Sequence, residues 1–111
     1  MNVDTELKYL HKQIRKHAPS LEAEDYRQIS KNGADAGWNG FIYYNDTCKF
    51  FDNNEEPIMN YYYGVCEDYG YKNVFDMFAK NTDATTMDEF RNWATWGILE
   101  AVAREFYDSG Q

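Results

Sequence analysis

A chain of 111 residues has room for one hydrophobic core and not for two. Its composition is 43% hydrophobic with seven Phe, three Trp and ten Tyr, which excludes a disordered chain, because such chains lack the aromatics that drive burial. A net charge of −8 and the absence of a long apolar run exclude a membrane span and weigh against binding to nucleic acid or anionic lipid.

The first predicted helix runs from Val3 to His17. Val3, Leu7, Leu10, Ile14 and Ala18 recur at helical spacing. Asn2 or Asp4 is placed to cap its start, and Lys12, Arg15 and Lys16 suit the negative end of its dipole. Ala18-Pro19 ends it. Ser20 is the expected cap of a second helix, Leu21 to Lys31, with Glu22, Glu24 and Asp25 in its first turn and Asn32-Gly33 as its stop. Residues 33–40, GADAGWNG, hold three glycines in eight positions and read as a loop. Phe41 to Tyr44 fits a short buried strand or the start of a helix; four residues carry no period that decides.

Asn45 or Asp46 then reads as the cap of a short helix carrying Cys48, Phe50 and Phe51, broken by Asp52-Asn53-Asn54. Glu55-Glu56-Pro57 has the acids and the proline of a helix first turn. Ile58, Tyr61, Tyr62, Val65, Cys66 and Tyr69 give that helix an apolar stripe, and Gly70 closes it. Asn73 caps a short helix with Val74, Phe75, Met77 and Phe78. Thr86-Met87-Asp88-Glu89 is a capping box, and Phe90, Trp93, Ala94, Gly97, Ile98, Ala101, Val102 and Phe106 run down one face to an end near Asp108 to Gly110. The expected fold class is mainly α: one compact domain over residues 1–111, with five or six helices and at most one short strand.

Catalytic signatures are absent from the sequence. His11 and His17 lie six apart on different helix faces, and no HExxH or CxxC spacing occurs, so no metal and no cofactor is expected. Cys48 and Cys66 read as free thiols in a core, and with no secretory segment they indicate a cytoplasmic protein. The glycine loop lacks the Lys-Ser/Thr that completes a phosphate cradle, and Asp35 would repel a phosphate. The chain is therefore read as a binding protein and not an enzyme.

Charge supplies the address of the binding surface. Residues 1–31 carry six basic and five acidic residues, a net of +1; residues 32–111 carry five basic and fourteen acidic, a net of −9. Between Asn45 and Gly70 stand Asp46, Asp52, Glu55, Glu56, Glu67 and Asp68 against the single base Lys49. Spaced carboxylates on a helix can occupy a basic groove as the phosphate row of DNA does. Of the consecutive Tyr61, Tyr62 and Tyr63, at least one must reach the surface, and Tyr62 or Tyr63 is the expected aromatic anchor beside those acids. Lys8, Lys12, Arg15 and Lys16 line one side of the first helix and could meet the acidic half of the same chain or of a second copy.

The stretch from Gly33 to Phe51, GADAGWNGFIYYNDTCKFF, resembles a small uncharacterised family of phage and prophage proteins with a GADxGxxGFIYYxDTxxFF-like core, an acidic helix and a Tyr-Gly turn such as Tyr69-Gly70. The resemblance spans about residues 26–80 and leaves the last helix outside. It implies a mobile-element origin and transfers no site residue. Small acidic phage proteins are often inhibitors of host defence, and some imitate DNA. The expectation is an anti-CRISPR or anti-restriction inhibitor acting in the bacterial cytoplasm. Its partner would be a host protein with a basic surface, a CRISPR effector or a restriction enzyme, with no direct contact to nucleic acid or membrane. Two alternatives stand beside it. One is a ligand-binding or enzymatic domain using the Gly33–Gly40 loop with Asp35, Trp38, Tyr43 and Asp46. The other is a dimeric accessory protein assembled through the first and last helices.

Overall fold

A computed structural model describes residues 3–32 and 44–108. Among them are six α-helices and one π-helix, with no strand: α1 (Val3–His17), α2 (Ala23–Asn32), α3 (Tyr44–Asn53), α4 (Glu55–Tyr69), α5 (Val74–Asn81), α6 (Met87–Ala103) and a terminal π-helix (Arg104–Asp108). The Cα radius of gyration is 13.3 Å, the value expected of one compact domain of this length.

α6 is the axis around which the rest is assembled. Phe90, Ala94, Ile98 and Val102 are buried on the face the sequence predicts, but so are Thr95, Leu99 and Ala103 on the neighbouring faces. A helix apolar beyond one stripe is surrounded by others, and α1, α2, α3 and α4 all pack on this one. The capping box holds: Glu89 N–H donates to Thr86 Oγ1 at 3.1 Å, while the Glu89 carboxylate accepts from Thr85 N–H. Against α3 the contact is partly polar. Thr95 Oγ1 donates to the Thr47 carbonyl, and the Thr47 hydroxyl reaches both the Tyr44 carbonyl at 2.7 Å and Asn92 Oδ1 at 2.5 Å. Both threonines are fully buried, so this seam fixes the register of α3 on α6.

α1 packs its Leu7, Leu10 and Ile14 face inward and lies across α4. Gly64 makes that approach close: a Cβ there would run into the Val3 side chain. The basic side of α1 does not dock on the acidic half. Lys8, Lys12, Arg15 and Lys16 are exposed and form no ion pair among the described residues.

Three boundaries differ from the sequence reading. α2 starts at Ala23, and Asp25 Oδ2 accepts from Glu22 N–H at 2.9 Å, so its own first-turn carboxylate, and not Ser20, covers the helix start. α3 begins at Tyr44, ahead of both Asn45 and Asp46, so neither is its cap. Of the ambiguous Phe41–Tyr44 run, Tyr44 is helical and the other three lie outside the described residues.

Candidate functional site

The acidic segment folds into two helices joined at Asn54, the one residue between them. Asn54 is buried, and its amide nitrogen donates to the Phe50 carbonyl at 3.0 Å, tying the joint to the end of α3. Its backbone carbonyl accepts from Ile58 N–H, so the same residue opens α4. The Asp52-Asn53-Asn54 break is thus a buried pivot. At the far end Gly70 adopts φ 75°, and its N–H and that of Tyr71 both close on the Cys66 carbonyl.

α4 has two unlike sides. Ile58, Tyr62 and Cys66 recur at i, i+4 and i+8 and are buried. Glu56, Tyr63 and Glu67, separated by seven and four residues, fall within about 40° of one another on a helix and are exposed. Around the pivot, Asp52, Glu55, Glu56 and Tyr63 rim a shallow groove of about 600 Å³, with Met59 and Asn60 in its wall. Glu67 continues the ridge one turn past Tyr63.

Of the eight residues singled out from the sequence, five therefore share one surface: Asp52, Glu55, Glu56, Tyr63 and Glu67. Asp46 sits on α3 about 120° around the helix from Asp52, half-buried, and does not line the groove. Asp68 is exposed but turned about 100° from Glu67. Asp52 is not a free charge. Its Oδ1 lies 2.9 Å from Arg91 Nε, an ion pair that ties α3 to α6, and Arg91 Nη1 also binds Asp88 at 2.6 Å.

Tyr62 is not a surface anchor. It is 5% exposed, stacks on Trp93 with ring centroids 5.4 Å apart, and donates its hydroxyl to the Ala94 carbonyl at 2.6 Å. Burial pushes its phenol well above the ordinary range, so it stays a neutral donor. Tyr63 is 44% exposed and is the ring the ridge presents. A helix turns about 100° per residue, enough to send adjacent tyrosines to opposite environments.

On the Tyr62 side lies a larger groove, about 730 Å³, that the sequence reading does not anticipate. Its walls are α4, through Tyr61 and Tyr69, and α6, through Trp93 and Trp96, with Tyr71 and Asn81 closing one side. Gly97 forms the floor. A Cβ there would run into the Tyr62 hydroxyl, so the glycine is what lets that ring reach the α6 backbone. Glu89 stands at one end, and Glu100 with Arg104 at the other. Tyr61, Tyr62, Tyr69, Trp93 and Gly97 were legible as parts of helical stripes; Trp96, Tyr71 and Asn81 were not. The gap between the stripes is a property of how α4 and α6 are spaced.

Neither thiol is activated as a nucleophile. Cys66 is buried, while Cys48 is only half-buried and lies 3.4 Å from the Asp88 carbonyl, so the core reading holds for one thiol and not the other. Burial raises the pKa of both, with nearby acid adding to it at each, the opposite of thiolate activation. No group of three metal-ligating side chains occurs among the described residues. Among them, too, no helix is long and apolar enough to cross a membrane. The Gly33–Gly40 loop, with Asp35, Trp38 and Tyr43, lies outside the described residues.

Residues 7–111 match the family described as Domain of unknown function (DUF7222), and the chain belongs to that family. The match takes in α6 as well as the acidic helices, so the last helix is family structure and not an appendage. No curated protein matches the chain, and no solved structure does.

Proposed function

We propose that this member of the DUF7222 family is a non-catalytic binding module that docks on a basic surface of another protein through the α3–α4 ridge. The observation that carries the reading is the grouping of Glu55, Glu56 and Glu67, none ion-paired among the described residues, around the exposed ring of Tyr63. An aromatic anchor ringed by carboxylates gives both a contact of low entropic cost and electrostatic steering of a basic partner. In the phage setting that the sequence resemblance implies, the partner would be a host nucleic-acid-processing complex, a CRISPR effector or a restriction enzyme, and the outcome its inhibition.

Charge density bears on how the docking works. Glu55, Glu56 and Glu67 spread three charges over about 18 Å of α4, whereas a duplex carries about eleven over that length. Asp52 adds little, because Arg91 already pairs with it. A sparse row interrupted by Asn60 and Tyr63 favours discrete ion pairs around a ring over imitation of a DNA backbone.

Capture from a lysate of a bacterium carrying restriction and CRISPR systems, at low and high salt, tests this. The full chain should retain a basic protein at low salt and lose it as salt rises, since exposed pairs are screened. Glu55→Lys, Glu56→Lys and Glu67→Lys together should abolish capture without changing the helical circular dichroism. Retention of the same partner by that triple variant would sink the proposal.

A further inference from the structure

The groove between α4 and α6 lies on the opposite side of α4 from the ridge, and its lining combines aromatic faces with polar groups. Its polar groups include both carboxylates and donors set between the rings. Tyr61, Tyr69 and Tyr71 bring hydroxyls and Trp93 an indole N–H. Asn92 has its oxygen engaged by Thr47, which leaves its NH2 without a bond to any described residue. Donors set between aromatic faces suit a chain rich in carbonyls and poor in N–H groups, which describes an extended proline-rich segment. A carboxylate stands at each end of the groove, Glu89 alone and Glu100 with Arg104 nearby. Glu89 and Glu100 lie eleven residues apart on one face of α6, about 16 Å along the axis. The groove is also formed wholly within the half of the chain whose net charge is −9, which repels nucleotides and other anions. Its volume of about 730 Å³ accommodates a short peptide segment in place of a single ring.

We propose that this groove binds an extended, proline-rich segment of a partner protein, with two basic residues held by Glu89 and Glu100. A polyproline II chain rises about 3.1 Å per residue with three residues per turn, so two basic residues on one of its faces that span this length stand about six positions apart. Arg104 sits beside Glu100 at the distal end and is a donor for a further backbone carbonyl of the segment. The site needs none of the ridge carboxylates, so it stands or falls separately from the ridge proposal.

The test is titration of the full chain with a ten-residue polyproline peptide bearing arginine at its third and ninth positions, followed by calorimetry and by the fluorescence of the groove tryptophans. Saturable binding is expected. Replacing both arginines by glutamine should weaken it about tenfold or more, the scale of losing charge-assisted bonds. Glu89→Gln with Glu100→Gln should weaken the arginine peptide to the same degree and leave the glutamine peptide unaffected. Glutamine at position 89 keeps the bond to Thr85 N–H, so α6 remains capped. Equal binding of the two peptides, no saturation by either, or a double variant that binds the arginine peptide as tightly as the native chain would overturn the proposal.

Discussion

One side of α4 offers carboxylates around a single ring, and the other offers rings between two distant carboxylates. The ridge borders only a shallow groove, and its glutamates are exposed. The α4–α6 groove is concave, and its floor is the packed contact between Tyr62 and Gly97. The difference teaches that the ridge can be altered at little cost to the fold, whereas the groove floor is part of what holds α4 to α6. Tyr62 and Tyr63 are the sharpest instance: neighbours in sequence, one at 5% exposure and one at 44%.

The largest expected effect is at that pair. Tyr62→Ala removes a buried ring and its hydrogen bond and should lower stability to urea by about 3–5 kcal/mol. Tyr63→Ala should change it by about 0.5 kcal/mol or less while weakening partner capture. Similar urea midpoints for the two variants would erase the contrast between the faces. Gly97→Ala comes next. The added methyl meets the Tyr62 hydroxyl and should cost about 1–3 kcal/mol. Combining it with Tyr62→Phe, which removes that oxygen, should recover part of the loss; strict additivity of the two would refute the collision.

A smaller effect is expected away from both faces, where the C-terminal π-helix docks on α1. His11 Nε2 meets the Tyr107 hydroxyl at 3.0 Å, and the imidazole stacks on Phe106 at 4.5 Å. Burial, aided by the Arg15 charge, lowers the His11 pKa below its ordinary 6.5. The folded state therefore resists a proton that the unfolded chain accepts. The contribution of His11 is complete above about pH 6.5 and is lost as pH falls through the lowered value. Melting temperature should drop over that interval, and His11→Gln should flatten the slope; an unchanged slope would remove His11 as its origin. The smallest effect belongs to Asp52→Asn, which breaks an exposed ion pair with Arg91 and should cost about 1 kcal/mol or less by thermal melting. A larger loss would make the pivot side of the ridge structural and blur its distinction from the groove.

The sequence by itself determined the helices and their direction of burial. The bounds of α1, the glycine stop of α4, the Asn73 cap of α5 and the Thr86 box of α6 follow from local rules, because capping bonds and helical periods are satisfied within a few residues. It also determined that acid concentrates after residue 31. Tertiary structure alone decided which acids share a surface. Asp46 and Asp68 left the group, and Asp52 was claimed by Arg91 from 39 residues away. The same structure decided between the two sequence readings of Tyr62, a member of the apolar stripe or a surface anchor, in favour of the stripe, and left Tyr63 as the exposed ring. It also opened the groove: Tyr61, Tyr69 and Trp93 read as ordinary core stripes until the separation of α4 from α6 leaves room between them. That separation is set by contacts between residues distant in the chain, such as Tyr62 against Gly97, and no local pattern encodes it.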